Sequence, residues 1–474
     1  MKLILRYLGY LLIVSALFRI VPILTALNYG ESIISFVLTT LVSLILGGVF
    51  VYIARFKPDD KQLSLTLSNG LMLVAISFII IPLFGAVTFL PSLEYNFLDA
   101  YFESISGFTT TGLTMYHNLD ALPKSLLMWR AMIQWIGGIG IIMVFLFIFS
   151  RLHSHDYVNV KDAESKAQST MALYQSQGFT QKLEGGLKKT VSNVLIIYFG
   201  LTLIGLVLLF IAGMPFYDSV AMSFTSLSTG GFSVHDTFYT NGFQLIVLCF
   251  LMLAGSISFV THNKLLQKKW KDFLFSFEKN VLFLMIIVAF ITTLLVSTDV
   301  KNIAFVLISA FTTTGYSTTA LALLPQLFIM MIMLGMLIGG GLASTSGGIK
   351  VFRVYYLLRT IPWSIKKLAS PSKAIIPLSI HGEKVDEAKI VNISIFVYTY
   401  FLILLIGIVT FMAFGHDFFT SSFQMISALG TVGLQTADLS MFNPILKVIL
   451  MIAMLFGRLE IFPLLILFKK MFSR

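Results

Sequence analysis

The chain has 474 residues, of which 57% are hydrophobic and 12% are charged, and its formal net charge is +11. Soluble domains do not have this composition, so the sequence predicts an all-α polytopic membrane protein. The single cysteine, Cys249, excludes a disulfide framework. Nucleic acid is not an expected partner, because the basic residues cluster in short segments at alternate ends of the apolar runs.

Ten apolar runs are long enough to cross a bilayer, which takes about 20 helical residues. They cover residues 4–27, 33–54, 68–90, 124–149, 191–212, 242–260, 280–298, 327–349, 389–413 and 443–468. Lysine and arginine concentrate on the side of the membrane that carries both termini, whereas the other side has only Lys124, Lys301 and Lys447. This asymmetry predicts that both termini lie in the cytoplasm.

An eight-residue pattern occurs four times, each time between two of these runs. The copies start at Ser106, Thr225, Ser309 and Ser427, and they read SGFTTTGL, TSLSTGGF, SAFTTTGY and SALGTVGL. A residue of the helix N-cap type precedes the last glycine of each copy by 13 positions, namely Asp99, Asp218, Asn302 or Thr420. Another glycine follows about 25 positions later, at Gly137, Gly255, Gly339 or Gly457. Such an internal repeat outranks other sequence signals.

The repeat predicts a common unit of helix, short helix, loop and helix. The short helices, near residues 100–107, 219–227, 303–311 and 421–429, cannot span a bilayer, so the chain is expected to enter the membrane there and turn back. The sequence thus predicts a two-helix N-terminal preface at 1–66 and four pore repeats around a pseudo-fourfold axis, at 67–160, 161–279, 280–373 and 374–474.

The four loops predict a cation-selectivity filter. Irregular backbone is tolerated at membrane depth where it lines a watery path, and glycine lets carbonyl groups turn inward. The negative end of each short helix points at the same place. The predicted filter residues are Thr110, Thr111, Gly112, Thr229, Gly230, Gly231, Thr313, Thr314, Gly315, Thr431, Val432 and Gly433. The two residues before each final glycine are the predicted potassium ligands, as in potassium-channel filters.

A run of small residues divides the eighth span at 339–348. It is consistent with close helix packing, but ten residues with no large side chain except Leu342 favour an irregular intramembrane loop that acts as a gate. The predicted gate residues are Gly339, Gly340, Gly341, Ser344, Thr345, Ser346, Gly347, Gly348, Lys350 and Arg458.

Arg458 joins this set because it lies in the middle of the last span. A charge at that depth costs about 3 kcal/mol, which indicates function. The alternative is a structural pair with a carboxylate, although Glu460 faces elsewhere on the same helix.

Nothing in the sequence indicates an enzyme or a nucleotide site. Gly137-Gly138-Ile139-Gly140 lies in a membrane helix with no preceding strand, and the 339–350 segment lacks Gly-Lys-Ser/Thr. Potassium is the ion that we predict for the filter, and the sequence leaves co-transport of sodium or protons open.

The chain resembles the Trk/Ktr/HKT superfamily of potassium transporters, and within it the bacterial TrkH-type membrane subunit. The resemblance rests on the four loops, on residues 129–138 (WRAMIQWIGG), on residues 344–350 (STSGGIK) and on residues 457–462 (GRLEIF). It extends over essentially the whole chain. The second loop, with Gly230-Gly231, and the fourth loop, with Gly430, depart from the Thr-Thr-x-Gly pattern.

The resemblance implies potassium uptake across the inner membrane of a prokaryote. It implies a homodimer in which each protomer has its own pore, one filter glycine per loop, an intramembrane gate loop at 339–348 and a pore-facing Arg458. It also implies a cytoplasmic ring of nucleotide-binding regulatory subunits, which we expect at the basic segments 150–190, 261–279 and 350–388.

Two other transport mechanisms remain open from the sequence. A sodium- or proton-coupled potassium symporter with alternating access would have inverted repeats and acidic residues at the midplane of the membrane, whereas these repeats are parallel. The potassium-translocating subunit of a P-type pump complex is the second alternative, and the Gly-Arg-Leu-Glu sequence at 457–460 favours the Trk type over it.

Overall fold

The structure is a computed structural model that describes residues 2–55, 67–155, 187–297, 299–321, 324–371, 376–380 and 383–472. For residues 67, 141–155, 187–190 and 383–384 only the backbone is described. The described residues are mostly helical, and the only strands among them are Ser379–Ile380 and Glu383–Lys384, which pair antiparallel. The predicted all-α membrane fold is confirmed.

The preface consists of α1 (Lys2–Phe18), α2 (Ile20–Tyr29) and α3 (Ile34–Ile53). α1 and α2 together make one 28-residue span with a turn at Arg19. α1 packs on α3 through Gly9 and Gly47, where a Cβ added to either glycine would lie only 2.7–2.8 Å from the carbonyl oxygen of the other. The preface is thus joined by the small-residue packing that is common between membrane helices.

Four sets of long helix, short helix and long helix follow. The sets are α4 (Leu67–Ala86), α5 (Phe97–Phe108) and α6 (Lys124–His155); α7 (Leu187–Ile211), α8 (Phe216–Leu227) and α9 (Gly242–Ser256); α12 (Phe277–Thr293), α13 (Val300–Phe311) and α14 (Gln326–Ile338); and α16 (Glu387–Ala413), α17 (Phe418–Leu429) and α18 (Pro444–Arg458). The connecting and terminal helices are α10 (Phe259–Leu266), α11 (Trp270–Leu274), α15 (Val351–Leu368) and α19 (Phe462–Phe472).

Some of the predicted spans are bent or interrupted in the structure. Six of the described helices are long and apolar enough to cross a membrane, or eight if each of two bent pairs counts as one span. α9 and α10 meet at 101°, and α18 and α19 meet at 115°. The run predicted at 327–349 forms only the 13-residue helix α14, because Gly339 ends it with a left-handed φ of 71°.

The four short helices begin one turn earlier than the sequence predicts. Each has 12 residues, and the caps are Asn96, Pro215, Asp299 and Asp417. The expected caps Asp99, Asp218, Asn302 and Thr420 are therefore wrong and lie inside the first turn. In three helices the backbone N–H of that residue instead donates to the side chain of the true cap, at 3.0–3.3 Å.

The second long helix of three repeats packs on the end of its short helix through a glycine. A Cβ added to Gly137, Gly255 or Gly457 would overlap the carbonyl oxygen of Phe108, Leu227 or Leu429, respectively. The third repeat differs, because Gly339 faces the carbonyl group of Gly347 in the segment that follows α14.

Candidate functional site

The four repeated loops share one backbone conformation. We name them the Thr/Gly loops, and they cover residues 109–112, 228–231, 312–315 and 430–433. In each loop the threonine directly after the C-cap residue of the short helix has a positive φ. The values are 54° for Thr110, 49° for Thr229, 56° for Thr313 and 49° for Thr431. The last glycine of each loop is also left-handed, with φ values of 88°, 82°, 89° and 91° for Gly112, Gly231, Gly315 and Gly433. Residues other than glycine rarely adopt such angles, so their recurrence shows that the sequence repeat is also a structural repeat.

The loops close into a ring. A Cβ added to Gly112 would overlap the carbonyl oxygen of Gly230 in the second loop, and one added to Gly231 would overlap that of Thr314 in the third. Gly315 faces the carbonyl group of Val432 in the same way, and Gly433 faces that of Thr111. Each loop therefore lies against the next in the order of the sequence, and the fourth returns to the first.

The ring presents carbonyl and hydroxyl oxygens. The four threonines with positive φ are all buried, and the hydroxyl groups of Thr110 and Thr431 have no hydrogen-bond partner within the described part of the chain. An unpaired buried hydroxyl is costly unless a ligand or water satisfies it. Oxygen donors of this kind suit a desolvated alkali cation.

The segment 339–350, which we name the small-residue loop, lies directly against this ring. Thr345 donates from Oγ1 to the carbonyl oxygens of Leu227 and Gly255, both at 2.9 Å, and its hydroxyl accepts from Thr229 at 3.3 Å. The backbone N–H of Gly347 donates to Thr313 Oγ1 at 2.7 Å.

Gly347 also faces the fourth Thr/Gly loop. A Cβ added to it would overlap both Gly430 O and Thr431 Oγ1. The small-residue loop thus contacts the second, third and fourth Thr/Gly loops.

Arg458 reaches both the small-residue loop and the first repeat. Its Nη1 donates to the carbonyl oxygen of Thr345 at 2.6 Å, and its Nη2 donates to those of Gly137 and Gly138 at 2.7 and 2.9 Å. The side chain is buried, and carbonyl oxygens take the place of a carboxylate partner. Glu460, the alternative partner considered above, pairs with Arg353 at 2.5 Å instead.

Two further charged residues, Lys350 and Glu278, form hydrogen bonds within or to the small-residue loop. The sequence pattern indicates Lys350 but not Glu278. The predicted Lys350 donates from Nζ to the carbonyl oxygen of Ser346. The carboxylate of Glu278, from the first turn of α12, accepts the backbone N–H of Leu342 at 3.0 Å. A carboxylate at the edge of an apolar run was the only sequence signal for Glu278.

A buried ion pair lies beside the first and second Thr/Gly loops and was also missed. Arg130 Nε contacts Glu103 Oε1 at 2.8 Å, and the side chains are 1% and 0% exposed. Arg130 also donates to the carbonyl oxygen of Ser233, just after the second loop, at 3.1 Å. Glu103 accepts from Thr114, just after the first loop, at 3.0 Å. The pair thus connects the segments that directly follow the first and second Thr/Gly loops, which we call the exits of these loops.

His235 connects the same two exits. Its Nδ1 lies 2.7 Å from Asp120 Oδ1 and its Nε2 lies 3.0 Å from Asp218 Oδ2, which also accepts from the Tyr239 hydroxyl at 3.0 Å. Both ring nitrogens must donate to satisfy two carboxylates, so the geometry fits the imidazolium form. Partial burial and nearby Lys124 favour the neutral ring, but the bonds to both carboxylates outweigh them and raise the pKa of His235.

No group of three or more His, Cys, Asp or Glu residues able to hold a metal ion occurs in the described ranges. The structure places every predicted filter residue in the ring, and every predicted gate residue either within the small-residue loop or, for Arg458, in contact with it.

Four short helices, a closed ring of loops and a buried loop against that ring, together with the apolar spans, define the class: a polytopic all-α membrane protein. Comparison with known proteins gives the family. The TrkH family profile, described as "Cation transport protein", matches residues 35–306 and 289–474. The chain belongs to the TrkH family of cation transport proteins.

The relatives are similar over their full length. The uncharacterised cation transporter MJ1485 of Methanocaldococcus jannaschii is 29% identical over 480 residues, covering 99% of this chain and 96% of the relative. The Trk system potassium uptake protein TrkH of Escherichia coli K12 is 29% identical over 498 residues, covering 99% and 98%.

A solved structure agrees with the sequence relatives. The crystal structure of the potassium transporter TrkH from Vibrio parahaemolyticus matches with a TM-score of 0.84 and 25% identity, over 100% of this chain and 99% of that one. These matches confirm the superfamily resemblance and the interpretation of the chain as a transporter rather than an enzyme.

Proposed function

We propose that the chain is a potassium-selective uptake protein whose four Thr/Gly loops form the selectivity filter. The observation that carries the proposal is the closed ring, in which each of four left-handed glycines faces a carbonyl group of the next loop. The names of the relatives, which are Trk potassium uptake proteins, support potassium as the cargo. The ligands would be carbonyl and hydroxyl groups of the two residues before each final glycine, as predicted from the sequence.

The chemistry of the ring supports potassium over a divalent cation. Backbone carbonyls and threonine hydroxyls are neutral donors that replace the hydration shell of an alkali cation, whereas divalent sites in proteins normally use carboxylates. The buried and unpartnered hydroxyls of Thr110 and Thr431, among the described residues, are groups that such an ion would satisfy.

The small-residue loop and Arg458 form the proposed gate. The loop lies against three of the four Thr/Gly loops, and the guanidinium of Arg458 holds it by the Thr345 carbonyl at 2.6 Å. A fixed positive charge also repels a passing cation, by about 4 kcal/mol at 4 Å in an effective dielectric of 20. Both effects favour a closed pathway until the loop moves.

The proposed units are the two-helix preface at 1–66 and the pore repeats at 67–160, 161–279, 280–373 and 374–474. Their boundaries near 66, 160 and 373 lie outside the described residues. We place the protein in the cell membrane of a prokaryote, with both termini in the cytoplasm, because the lysine and arginine asymmetry supports that orientation.

The proposed partners are a second copy of the chain and a cytoplasmic ring of nucleotide-binding regulatory subunits. The family and the words "Trk system" in the names of relatives support a multi-component system. The proposed docking segment 261–279 contains α11 and its exposed neighbours, whereas most of 150–190 and part of 350–388 lie outside the described residues. Sodium or proton coupling and a P-type pump partner are the alternatives, and no contact among the described residues favours either.

Flux measurements test the proposed function directly. Purified protein in liposomes should admit potassium in strong preference to sodium when an inside-negative potential is imposed. Equal uptake of the two ions, with the protein monodisperse and correctly inserted, would contradict a potassium filter. Dependence of potassium uptake on a sodium or proton gradient at fixed potential would favour the symporter.

A further inference from the structure

The second corner of the ring differs from the others in a way that the repeat does not explain. The residues just before the final glycines are Thr111, Gly230, Thr314 and Val432, so only the second loop has a glycine there. The φ of Gly230 lies outside the left-handed region, unlike that of Gly231. Backbone conformation therefore does not require a glycine at 230.

Space requires it instead. A Cβ added to Gly230 would overlap the side-chain amide of Gln134 and would lie 2.9 Å from Gln134 Cβ. Gln134 belongs to α6 of the first repeat and is completely buried. Because Gly230 has no side chain, Gln134 can occupy the space beside it.

Gln134 uses both ends of its amide on this loop. Its Nε2 donates to the carbonyl oxygen of Gly230 at 2.5 Å, and its Oε1 accepts the backbone N–H of Phe232 at 3.1 Å. The two contacts bracket Gly231, the final glycine of the second loop. The side chain therefore fixes the backbone on both sides of that glycine.

The first and third corners are stabilised by hydrogen bonds within their own loops. Thr109 and Thr111 join their hydroxyls at 2.8 Å in the first loop, and Thr312 and Thr314 do the same at 2.8 Å in the third. The second loop has Ser228 at the first of these positions but Gly230 at the second, so it cannot form this pair.

The position of Gln134 is also exceptional among the repeats. It lies three residues before Gly137, and the same position before Gly255, Gly339 and Gly457 holds methionine. These methionines are Met252, Met336 and Met454, and all three are completely buried. Gln134 is thus the one amide among these four positions, and it lies beside a Thr/Gly loop that has no hydroxyl pair. The fourth loop, with Gly430 and Val432, has no such pair either, and Met336 lies beside it.

We infer that Gln134 is a positioning residue for ion selection, which holds the second filter corner in the geometry that the first and third corners obtain from paired threonine hydroxyls. The inference rests on the proposed filter function. It states that Gln134 and Gly230 form an exchangeable pair, in which the amide and the glycine together do what a methionine and a threonine do at the first and third corners.

The test compares single and double variants in the full-length protein in liposomes, with the potassium-to-sodium uptake ratio as the readout. This ratio does not depend on the amount of protein, so a merely structural loss of folded protein leaves it unchanged. Gln134→Met should lower the ratio by roughly five- to tenfold, the range that corresponds to the loss of about one buried hydrogen bond. Gly230→Thr alone should also lower it, because the added side chain collides with the amide.

The double variant Gln134→Met/Gly230→Thr should return the ratio to within roughly twofold of the unmodified protein, because it recreates the residue pair of the first and third corners. Gln244→Ala is the matched control: this buried glutamine of α9 also donates to a carbonyl oxygen, that of Ala212 at 3.3 Å, but outside the ring, and the ratio should not change. If Gln134→Met does not reach the membrane, Gln134→Ala, which adds no bulk, replaces it in both the single and the double variant.

Gly315→Ser separates failure of this inference from failure of the proposed function. If Gly315→Ser changes the ratio and the Gln134 variants do not, the filter stands and the role of Gln134 is refuted. If the double variant is as poor as the product of the two single variants, the exchange is refuted. If Gly315→Ser also leaves the ratio unchanged, the filter assignment itself is wrong.

Discussion

Arg458 and Thr345 are 113 residues apart in sequence, yet Nη1 of the arginine donates to the carbonyl oxygen of the threonine at 2.6 Å. The same guanidinium holds the carbonyls of Gly137 and Gly138 through Nη2. One side chain of the fourth repeat therefore links the small-residue loop of the third repeat to α6 of the first. Movement of the loop away from the ring has to break this contact.

Arg458→Ala should raise potassium flux and weaken its dependence on a regulatory subunit. A hydrogen bond from a charged donor contributes about 1.5–3 kcal/mol, so its loss shifts a closed–open equilibrium roughly tenfold or more. Arg458→Lys should be intermediate, because it keeps the charge but loses the planar fork that serves three carbonyls. The measurement is potassium flux at matched protein level, with Arg55→Ala, at an exposed arginine of the preface, as control.

A deletion within 342–346 should also raise the flux, because it removes the part of the small-residue loop that Arg458 and Glu278 hold. If Arg458→Ala inserts correctly and keeps the original flux while the deletion abolishes transport, Arg458 is a structural charge and the gate lies elsewhere.

Gly112→Ser and Gly315→Ser should admit sodium relative to potassium while expression stays normal. Both glycines have φ near 90°, and a side chain there meets the carbonyl group of the next loop, so the ring has to widen or distort. Gly200→Ser is a suitable control, because a Cβ at that helical glycine meets nothing within 4 Å. Unchanged ion preference in both ring variants would refute the filter assignment.

The ring was visible in the sequence, whereas most contacts that hold it were not. Four copies of one pattern at fixed spacing reveal a repeat without any tertiary information, and a lone arginine in an apolar run such as Arg458 is conspicuous. The partners of Arg458 are backbone carbonyls, which no side-chain pattern encodes. Glu278 and Gln134 act on loops 64 and 96 residues away, and only the packing of α6 and α12 brings them there.

The errors have physical causes as well. The four short helices start one turn before the aligned polar residues. The predicted N-caps are wrong because a polar residue in the first turn and a true N-cap residue look alike in a repeat alignment. The sequence predicts that the eighth span continues to residue 349, but its helix ends at Ile338. The prediction fails because the hydropathy of a glycine-rich segment does not reveal where left-handed φ angles stop a helix.

Membrane-impermeant thiol labelling should establish the orientation. In a Cys249→Ser background, a cysteine replacing exposed Thr237, in the segment between α8 and α9, should react in intact cells. A cysteine at Ser165, which lies outside the described residues, should react only after the cells are opened. Reaction at 165 in intact cells would reverse the proposed topology and place the Thr/Gly loops on the cytoplasmic side.

Glu103→Gln should destabilise the protein strongly. It leaves Arg130 buried without its ion-pair partner, and breaking a buried pair from one side costs about 3–5 kcal/mol. Glu387→Gln removes the partner of Lys367 in an exposed pair and should change the free energy of unfolding by about 1 kcal/mol or less. Unfolding of both variants in detergent, followed by temperature or denaturant, gives the comparison. Equal and small effects would show that the Arg130–Glu103 pair does not stabilise the ring exits.

The last prediction concerns pH at the exits of the first two Thr/Gly loops. The bonds to Asp120 and Asp218 raise the pKa of His235 above its usual value of about 6.5. A group whose pKa is raised in the folded state contributes to stability. This contribution is fully present below the pKa of the unfolded state and is lost as the pH rises through the pKa of the folded state. The bond to His235 lowers the pKa of Asp120, so its contribution is present above about 3.9 and is lost at more acidic pH.

The bridge between the two loop exits should therefore be strongest between about pH 4 and 6.5 and should weaken toward pH 8 and above. The melting temperature of the unmodified protein should fall relative to that of His235→Gln as the pH rises across this range, because glutamine does not titrate. His117, which contacts Asp438 at 3.4 Å and is well exposed, provides a control in His117→Gln, whose difference from the unmodified protein should be smaller. A melting-temperature difference between the unmodified protein and His235→Gln that stays constant from pH 5.5 to 8.5 would show that the imidazolium does not hold the two exits together.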